Sequence, residues 1–320
     1  MTERRWRGRA FGVVLESATP VAGLLSDTNG AETRLVEWQP VSEDELGAVG
    51  LAEALVDRRH DDGRPFMSVE HDPELGYRIA APGFGAHLVS DDGSLIRSSL
   101  PAEAGDTWQR LFFAQALPLA AALNGLALFH ASAVVVDRRA YAFVGLSGSG
   151  KTSIAAQLVA RGARILTDDV LALEPADGNV RAFAGPARIS IERAELDGLG
   201  DDGRLRLGEM LETPTEDGKV QLETHPEAGP VPLGGVFLLS RSRAGGVAVK
   251  RDPDNRTQAL LAAAFLGYLM LPRRLALHLE VCAQIAAGVP TFSVEIGEGT
   301  ATAEAAETIE SLLEPVGAGR

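Results

Sequence analysis

Residues 145–152 read GLSGSGKT, and no other run in the chain restricts its fold so tightly. The form is G-x-x-x-x-G-K-[ST], in which successive backbone N–H groups turn inward to make a nest for phosphate oxygens. Such a nest works only where a strand delivers the chain and a helix carries it away. Gly145, Gly148 and Gly150 can take the positive φ values that the turn needs. Lys151 can reach the terminal phosphates of a nucleotide, Thr152 can offer a hydroxyl to Mg²⁺, and Ser147, Ser149 and Ser153 complete the nucleotide-binding set. With 35 glycines in 320 residues the pattern alone is weak, so its flanks decide. Upstream, 140–145 (AYAFVG) is an apolar run with aromatic and branched residues, as in a buried strand. Downstream, Ile154, Ala155, Leu158 and Val159 recur at helical spacing, and Gly162 falls where a helix stops.

A second apolar strand, 163–167 (ARILT), ends in Asp168 and Asp169. In an open α/β sheet ligands gather at the carboxyl ends of strands, which puts both carboxylates beside the glycine loop. One of them can hold Mg²⁺ there, and one can accept the proton of an attacking hydroxyl. The alternative is that both cap the turn into the next strand, 170–174. Ahead of the loop, 126–136 (LALFHASAVVV) sets His130 in an apolar strand. A histidine in such surroundings is commonly a hydrogen-bonded core residue. If 130–136 pairs with 140–144 through the turn 137–139, His130 instead lies near the loop end of the sheet, at an active site.

His130 stands 15 positions before Gly145, and Asp168 stands 17 after Lys151. In this constellation the chain resembles the catalytic domain of the HPr kinase/phosphorylase family, where the two spacings are about fifteen and about seventeen. The resemblance implies an α/β fold, a P-loop kinase domain of the HPr-kinase/PEP-carboxykinase-like type, with ATP and Mg²⁺ as cofactors. It implies catalytic roles for Asp168, His130 and Lys151, with Asp168 the general base that deprotonates a serine hydroxyl and His130 close to the phosphates and to Asp168. Thr152 and Asp169 would bind the metal. Members that phosphorylate HPr carry an acidic residue after the loop serine, an alanine before the aspartate pair and a later Glu-x-Arg-Gly segment. Here Ser153 and Ile154 follow Thr152, Thr167 precedes Asp168, and ISIERAELDG (189–198) offers Glu192 and Arg193. The chain is more similar to shorter relatives with an unrelated N-terminal part, some of which phosphorylate precursor peptides. The likeness is specific over about 45 residues and diffuse elsewhere. It implies a serine-bearing protein or peptide as acceptor and a homo-oligomer, hexameric in the family.

The formal net charge of −14 argues against nucleic acid or an anionic membrane as partner. Lysine occurs only at 151, 219 and 250, against 27 arginines, so Lys151 is the one lysine in a phosphate motif. Lys219, in EDGKVQL, can approach a phosphate or lie on a solvent-facing strand. A single cysteine, Cys282, excludes an internal disulfide and a cysteine-rich metal cluster. From Leu111 to Val136 there is no charged residue, long enough to raise the question of a membrane span. Gln115, Pro118, Asn124, Gly125, His130 and Ser132 interrupt the run; a buried helix over 108–126, kinked near Pro118, followed by a strand fits it better. The N-terminal segment has basic residues without a long apolar core, so no secretory signal is read and a cytoplasmic location is expected.

Residues 1–105 alternate short strand-like runs (10–16, 34–38, 77–82, 84–90, 94–99) with turn signals, which predicts a small β-rich or α+β N-terminal domain for acceptor recognition or assembly. Its His60, His71 and His87 lack metal-site spacing. Residues 106–320 make the catalytic domain. There 194–218, polar and glycine-rich, is a flexible loop over the site or a surface insertion. A buried strand at 233–240 leads to Arg241 and Arg243, which can neutralise phosphate or simply end the strand. Helices are expected over 255–270, 273–287 and 302–313, with a strand at 290–296. The activity expected is transfer of the γ-phosphate of ATP to a serine hydroxyl; the alternatives are a non-enzymatic nucleotide-binding switch and a kinase for a small metabolite.

Overall fold

The computed structural model describes residues 5–27, 34–46, 53–101, 105–176, 178–211 and 218–313. The protein is mixed α/β with two large sheets, and the chain divides into two compact units. One holds Met1–Leu126 with Leu266–Arg274; the other holds Ala127–Phe265 with Leu275–Arg320. The division falls after Leu126, where a boundary at 105/106 is expected from sequence, because the apolar helical segment goes with the first unit.

In the first unit the strands are β1 (Trp6–Ala10), β2 (Val13–Ser17), β3 (Leu25–Ser26), β4 (Leu35–Val41), β5 (Glu53–Arg59), β6 (Pro65–Asp72), β7 (Gly76–Ala81), β8 (Gly85–Val89) and β9 (Leu95–Ser99). They form one sheet in the order β3-β1-β2-β4-β9-β8-β7-β6-β5, with β4 parallel to both of its neighbours. The single strand expected over 10–16 is a hairpin instead, because Phe11 and Gly12 turn with φ of 53° and 77°. β5 gives no sequence signal since none of its side chains is buried and alternation is hidden. The charge-free segment is helical in three parts, Trp108–Leu111, a π-helical Phe112–Ala116, and Leu117–Leu123. Pro118 has no N–H to donate, and the backbone answers with this wide turn where a kink is expected; the Leu117 N–H reaches the Phe112 carbonyl. Phe112, Ala116, Leu117, Leu119, Ala120 and Ala121 are fully buried, so the run is apolar because it is core. Among the described residues no helix is long and apolar enough to cross a membrane.

The second unit contains β10 (Ala127–Val136), β11 (Arg139–Gly145), β12 (Arg164–Thr167), β13 (Val170–Ala176), β14 (Asn179–Phe183), β15 (Arg188–Glu192), β16 (Glu209–Met210), β17 (Lys219–Glu223), β18 (Val231–Ser242), β19 (Val247–Arg251) and β20 (Thr291–Gly297). β11, β18 and β20 run parallel side by side. β10 lies antiparallel to β11 and also to β12. Those two strands therefore point the same way and end on the same edge. β10 changes partner along its length: 127–130 pair with β13, and from Ala131 onward it pairs with β11. β15, β17 and β16 make a separate three-stranded sheet.

Helix α1 (Lys151–Ala160) and the helix Thr302–Glu310 share a core with the sheet, built from Ile154, Leu158, Ala305 and Ile309 against strand residues. Phe143, Phe237 and Phe292 lie in register on adjacent parallel strands, with ring centroids 5.7 and 5.0 Å apart. Two expectations change. The 194–218 stretch holds the helices Arg193–Asp197 and Gly200–Leu207 and then β16, anchored by buried Leu196 and Leu207, while 212–217 lie outside the described residues. The helix expected over 255–270 is only Arg256–Ala262; beyond it Leu266 turns with φ of 55°, and Pro272 opens the next helix, Pro272–Gly288.

Candidate active site

β11 delivers the chain to Gly145 and α1 carries it away from Lys151, so the glycine loop has the strand and helix its sequence requires. Gly148 and Gly150 are left-handed, with φ of 78° and 100°. Gly145 is not, contrary to expectation, and its reason is space: a methyl there would lie 2.5 Å from the Leu239 carbonyl oxygen and 2.6 Å from Ser149 Oγ. Ser147 is exposed at the loop tip, Ser149 is buried, and Ser153 is half-buried in the first turn of α1. Lys151 lies back across its own loop, its Nζ donating to the carbonyls of Gly145 (2.9 Å) and Leu146 (3.2 Å). Burial lowers its pKa, while Asp169 and Asp168 act in the opposite direction. Arg241, at the end of β18, also belongs here, since a methyl on Gly150 would sit 3.1 Å from its Nη2.

β12 ends at Thr167, and a tight turn follows. The Val170 N–H donates to the Asp168 carbonyl (2.8 Å), and Thr167 Oγ1 donates to the Val170 carbonyl (2.6 Å). The Asp168 side chain takes no part in capping that turn. Its Oδ1 accepts from Ser132 Oγ (2.7 Å) and Thr152 Oγ1 (2.8 Å), and its Oδ2 faces the Ser190 N–H at 3.4 Å. Burial, and then the charge of Asp169, push its pKa up to about 6 against the pull of those donors. Asp169 is solvent-accessible and stands on left-handed backbone, φ 63°, a conformation uncommon outside glycine. Its carbonyl is held by the Ala131 N–H (3.1 Å) and by His130 Nδ1 (3.0 Å). The protein crowded around its carboxyl raises its pKa, and Lys219 and Lys151 oppose that rise. The family resemblance pairs Thr152 with Asp169; in the structure Thr152 meets Asp168.

His130 sits where β10 changes partner. It is half-buried, its ring stacks on Phe265 at 6.3 Å between centroids, and its backbone N–H donates to the Ala263 carbonyl (2.7 Å). Because Nδ1 bonds a carbonyl, it carries the proton, which leaves the lone pair on Nε2. Burial and the charge of Lys151 lower its pKa and keep the ring neutral. The histidine is therefore tied to the aspartate turn and is not a plain core residue.

Loop, lysine, threonine, both aspartates and histidine thus come together within the second unit. Sequence reasoning missed Ser132 and Ser190, whereas Lys219 and Arg241 were each named as able to meet phosphate or to serve only their strand. Ser132 had a signal: it lies two residues after His130 on one strand, hence on the same face. Ser190 acts through a backbone N–H, which no residue identity reveals. Thr152, Asp168 and Asp169 offer hard oxygen donors that suit Mg²⁺, an ion that takes one or two carboxylates and fills its shell with water and phosphate. Among the described residues no group of three or more His, Cys, Asp or Glu is placed to hold a metal by itself.

No protein-family model and no curated protein matches the chain. Among solved structures, the HPr(Ser) kinase/phosphatase from Coxiella burnetii is similar over 58% of this chain and 92% of its own, at 11% identity and a TM-score of 0.28.

Proposed function

We propose that this chain is an ATP- and Mg²⁺-dependent kinase that transfers the γ-phosphate to a serine hydroxyl of a protein or peptide. One observation carries the reading: the glycine loop, Lys151, Thr152 and both aspartates converge where β11 and β12 end. The loop N–H groups cradle the phosphates, and Lys151 exchanges the carbonyls of Gly145 and Leu146 for phosphate oxygens. Mg²⁺, when bound, offsets the charge on the β- and γ-phosphates. Thr152 and an aspartate would hold it. In the transfer the acceptor oxygen bonds to the γ-phosphorus as the bond to the bridging oxygen breaks. That electron pair leaves with ADP, and the serine proton passes to a carboxylate. Asp168, with a pKa of about 6 and an oxygen that accepts hydrogen bonds from hydroxyls, suits that base. His130, neutral, orients the acceptor or the phosphate.

The Thr152–Asp168 contact favours a second assignment, in which Thr152 and Asp168 hold the metal and accessible Asp169 takes the proton. Phosphotransfer by Asp168→Asn and Asp169→Asn, measured across a Mg²⁺ titration, separates the two. The variant lacking the base is expected to lose about 10²-fold or more at every Mg²⁺ concentration. The variant lacking the metal ligand should recover as Mg²⁺ rises. Wild-type rates in both would sink both assignments of the base, and no transfer by the wild type would sink the kinase reading.

A further inference from the structure

Lys219 opens β17, which pairs with β15 so that Glu192 faces Lys219 and Ser190 faces Gln221. Side chains alternate along a strand, so these four share one face, while Ile189, Ile191 and Leu222 on the other are buried in the core. The Ser190 N–H points at Asp168 Oδ2. The β15–β17 pair therefore meets Asp168 along the edge of β15. Lys219 stands on the strand beside β15, and its charge bears on both Asp169 and Lys151. Two residues on, Gln221 is 8% exposed, and its Oε1 has no hydrogen-bond partner. A buried, unmatched acceptor on that face is what an incoming N–H or O–H donor would satisfy.

We propose, resting on the kinase reading above, that Lys219 is a second phosphate-binding cation of the site, holding the phosphoryl group from the β17 side while Lys151 holds it from the loop. The residue type matters. Every other basic position in this arginine-rich chain except Lys151 and Lys250 is arginine. An arginine fork would lock onto the Asp169 carboxylate in a planar pair, whereas an ammonium on a flexible stem can move between a carboxylate and a phosphate oxygen. The group handed over is PO₃⁻, moving from the bridging oxygen to the acceptor oxygen. Lys219 donates hydrogen bonds to its oxygens and neither gains nor loses a proton.

The test compares wild type, Lys219→Met and Lys219→Arg by calorimetry, first with Mg·ADP and then with Mg·ADP plus aluminium fluoride, a mimic of the transferring phosphoryl group. Thermal melting establishes that each variant is folded; Lys219→Gln replaces the methionine variant if that one melts early. Mg·ADP affinity should change less than about threefold, and the aluminium fluoride complex should weaken about 10²-fold in Lys219→Met, with partial recovery in Lys219→Arg. Equal affinity for that complex in wild type and Lys219→Met overturns the proposal and leaves the kinase reading standing. Failure of the wild type to bind Mg·ADP overturns both.

Discussion

Asp168 is held ionised at neutral pH in a place that favours its neutral form. Its folded pKa of about 6 lies above the unfolded value of 3.8, so the stability it confers is present at low pH and is lost as pH rises through about 6. Asp168→Asn is accordingly expected to raise the melting temperature at pH 8 while phosphotransfer collapses, and the gain should shrink toward pH 5. A melting temperature unchanged at pH 8 would mean that the buried charge carries no penalty. His87 runs the other way. It is fully buried, with Nδ1 on Ser98 Oγ at 2.8 Å, and burial pushes its pKa from 6.5 down to about 3. The unfolded chain takes up a proton below 6.5 that the folded one refuses, so stability falls with pH by about 1.4 kcal/mol per unit between those values. Denaturant titrations at pH 7 and pH 5 should differ by about 2 kcal/mol from this group alone, and His87→Gln should remove that difference. At this scale the motif residues were legible, because phosphate chemistry fixes their types and spacings. For Lys219 and Arg241 the sequence left two roles open, because strands distant in the sequence carry them.

The Phe143–Phe237–Phe292 ladder ties β11, the strand that ends in the glycine loop, to β18 and β20. Cross-strand aromatic packing of this kind holds register as well as contributing burial. Phe237→Ala should cost about 3–5 kcal/mol in a denaturant titration. A loss below about 1 kcal/mol would show that the ladder does not hold these strands together. Gly145→Ala sets its methyl against a backbone carbonyl of β18, which cannot move aside as a side chain can. Nucleotide binding should disappear in that variant while the fold survives. Strands flanking the loop could be read from sequence because they are continuous apolar runs between turn signals. The hairpin at 10–16 could not, since only the backbone turn at Phe11 and Gly12 divides an otherwise even run. Nor could the end of the helix after Ala262, where apolar residues continue at helical spacing although the backbone has turned away.

Over the whole molecule, the first unit takes in Leu266–Arg274 from far along the chain. Leu266, Leu269 and Arg274 are only 5, 2 and 4% exposed, and Arg274 Nη1 donates to the Leu269 carbonyl at 2.8 Å. Composition sets the boundary at 105/106 and gives no sign of this return, because long-range contacts and not local pattern decide it. A chain cut to 127–320 is expected to aggregate on size-exclusion chromatography, having lost the unit with which this segment is grouped; a monodisperse fragment would contradict that division. The activity is tested most directly by incubating the full chain with Mg²⁺, γ-labelled ATP and a randomised serine-peptide library, with Asp168→Asn alongside. Label on peptide serine that disappears in the variant is the predicted result; tight Mg·ATP binding with no labelled peptide would contradict the kinase reading and favour a nucleotide-dependent switch.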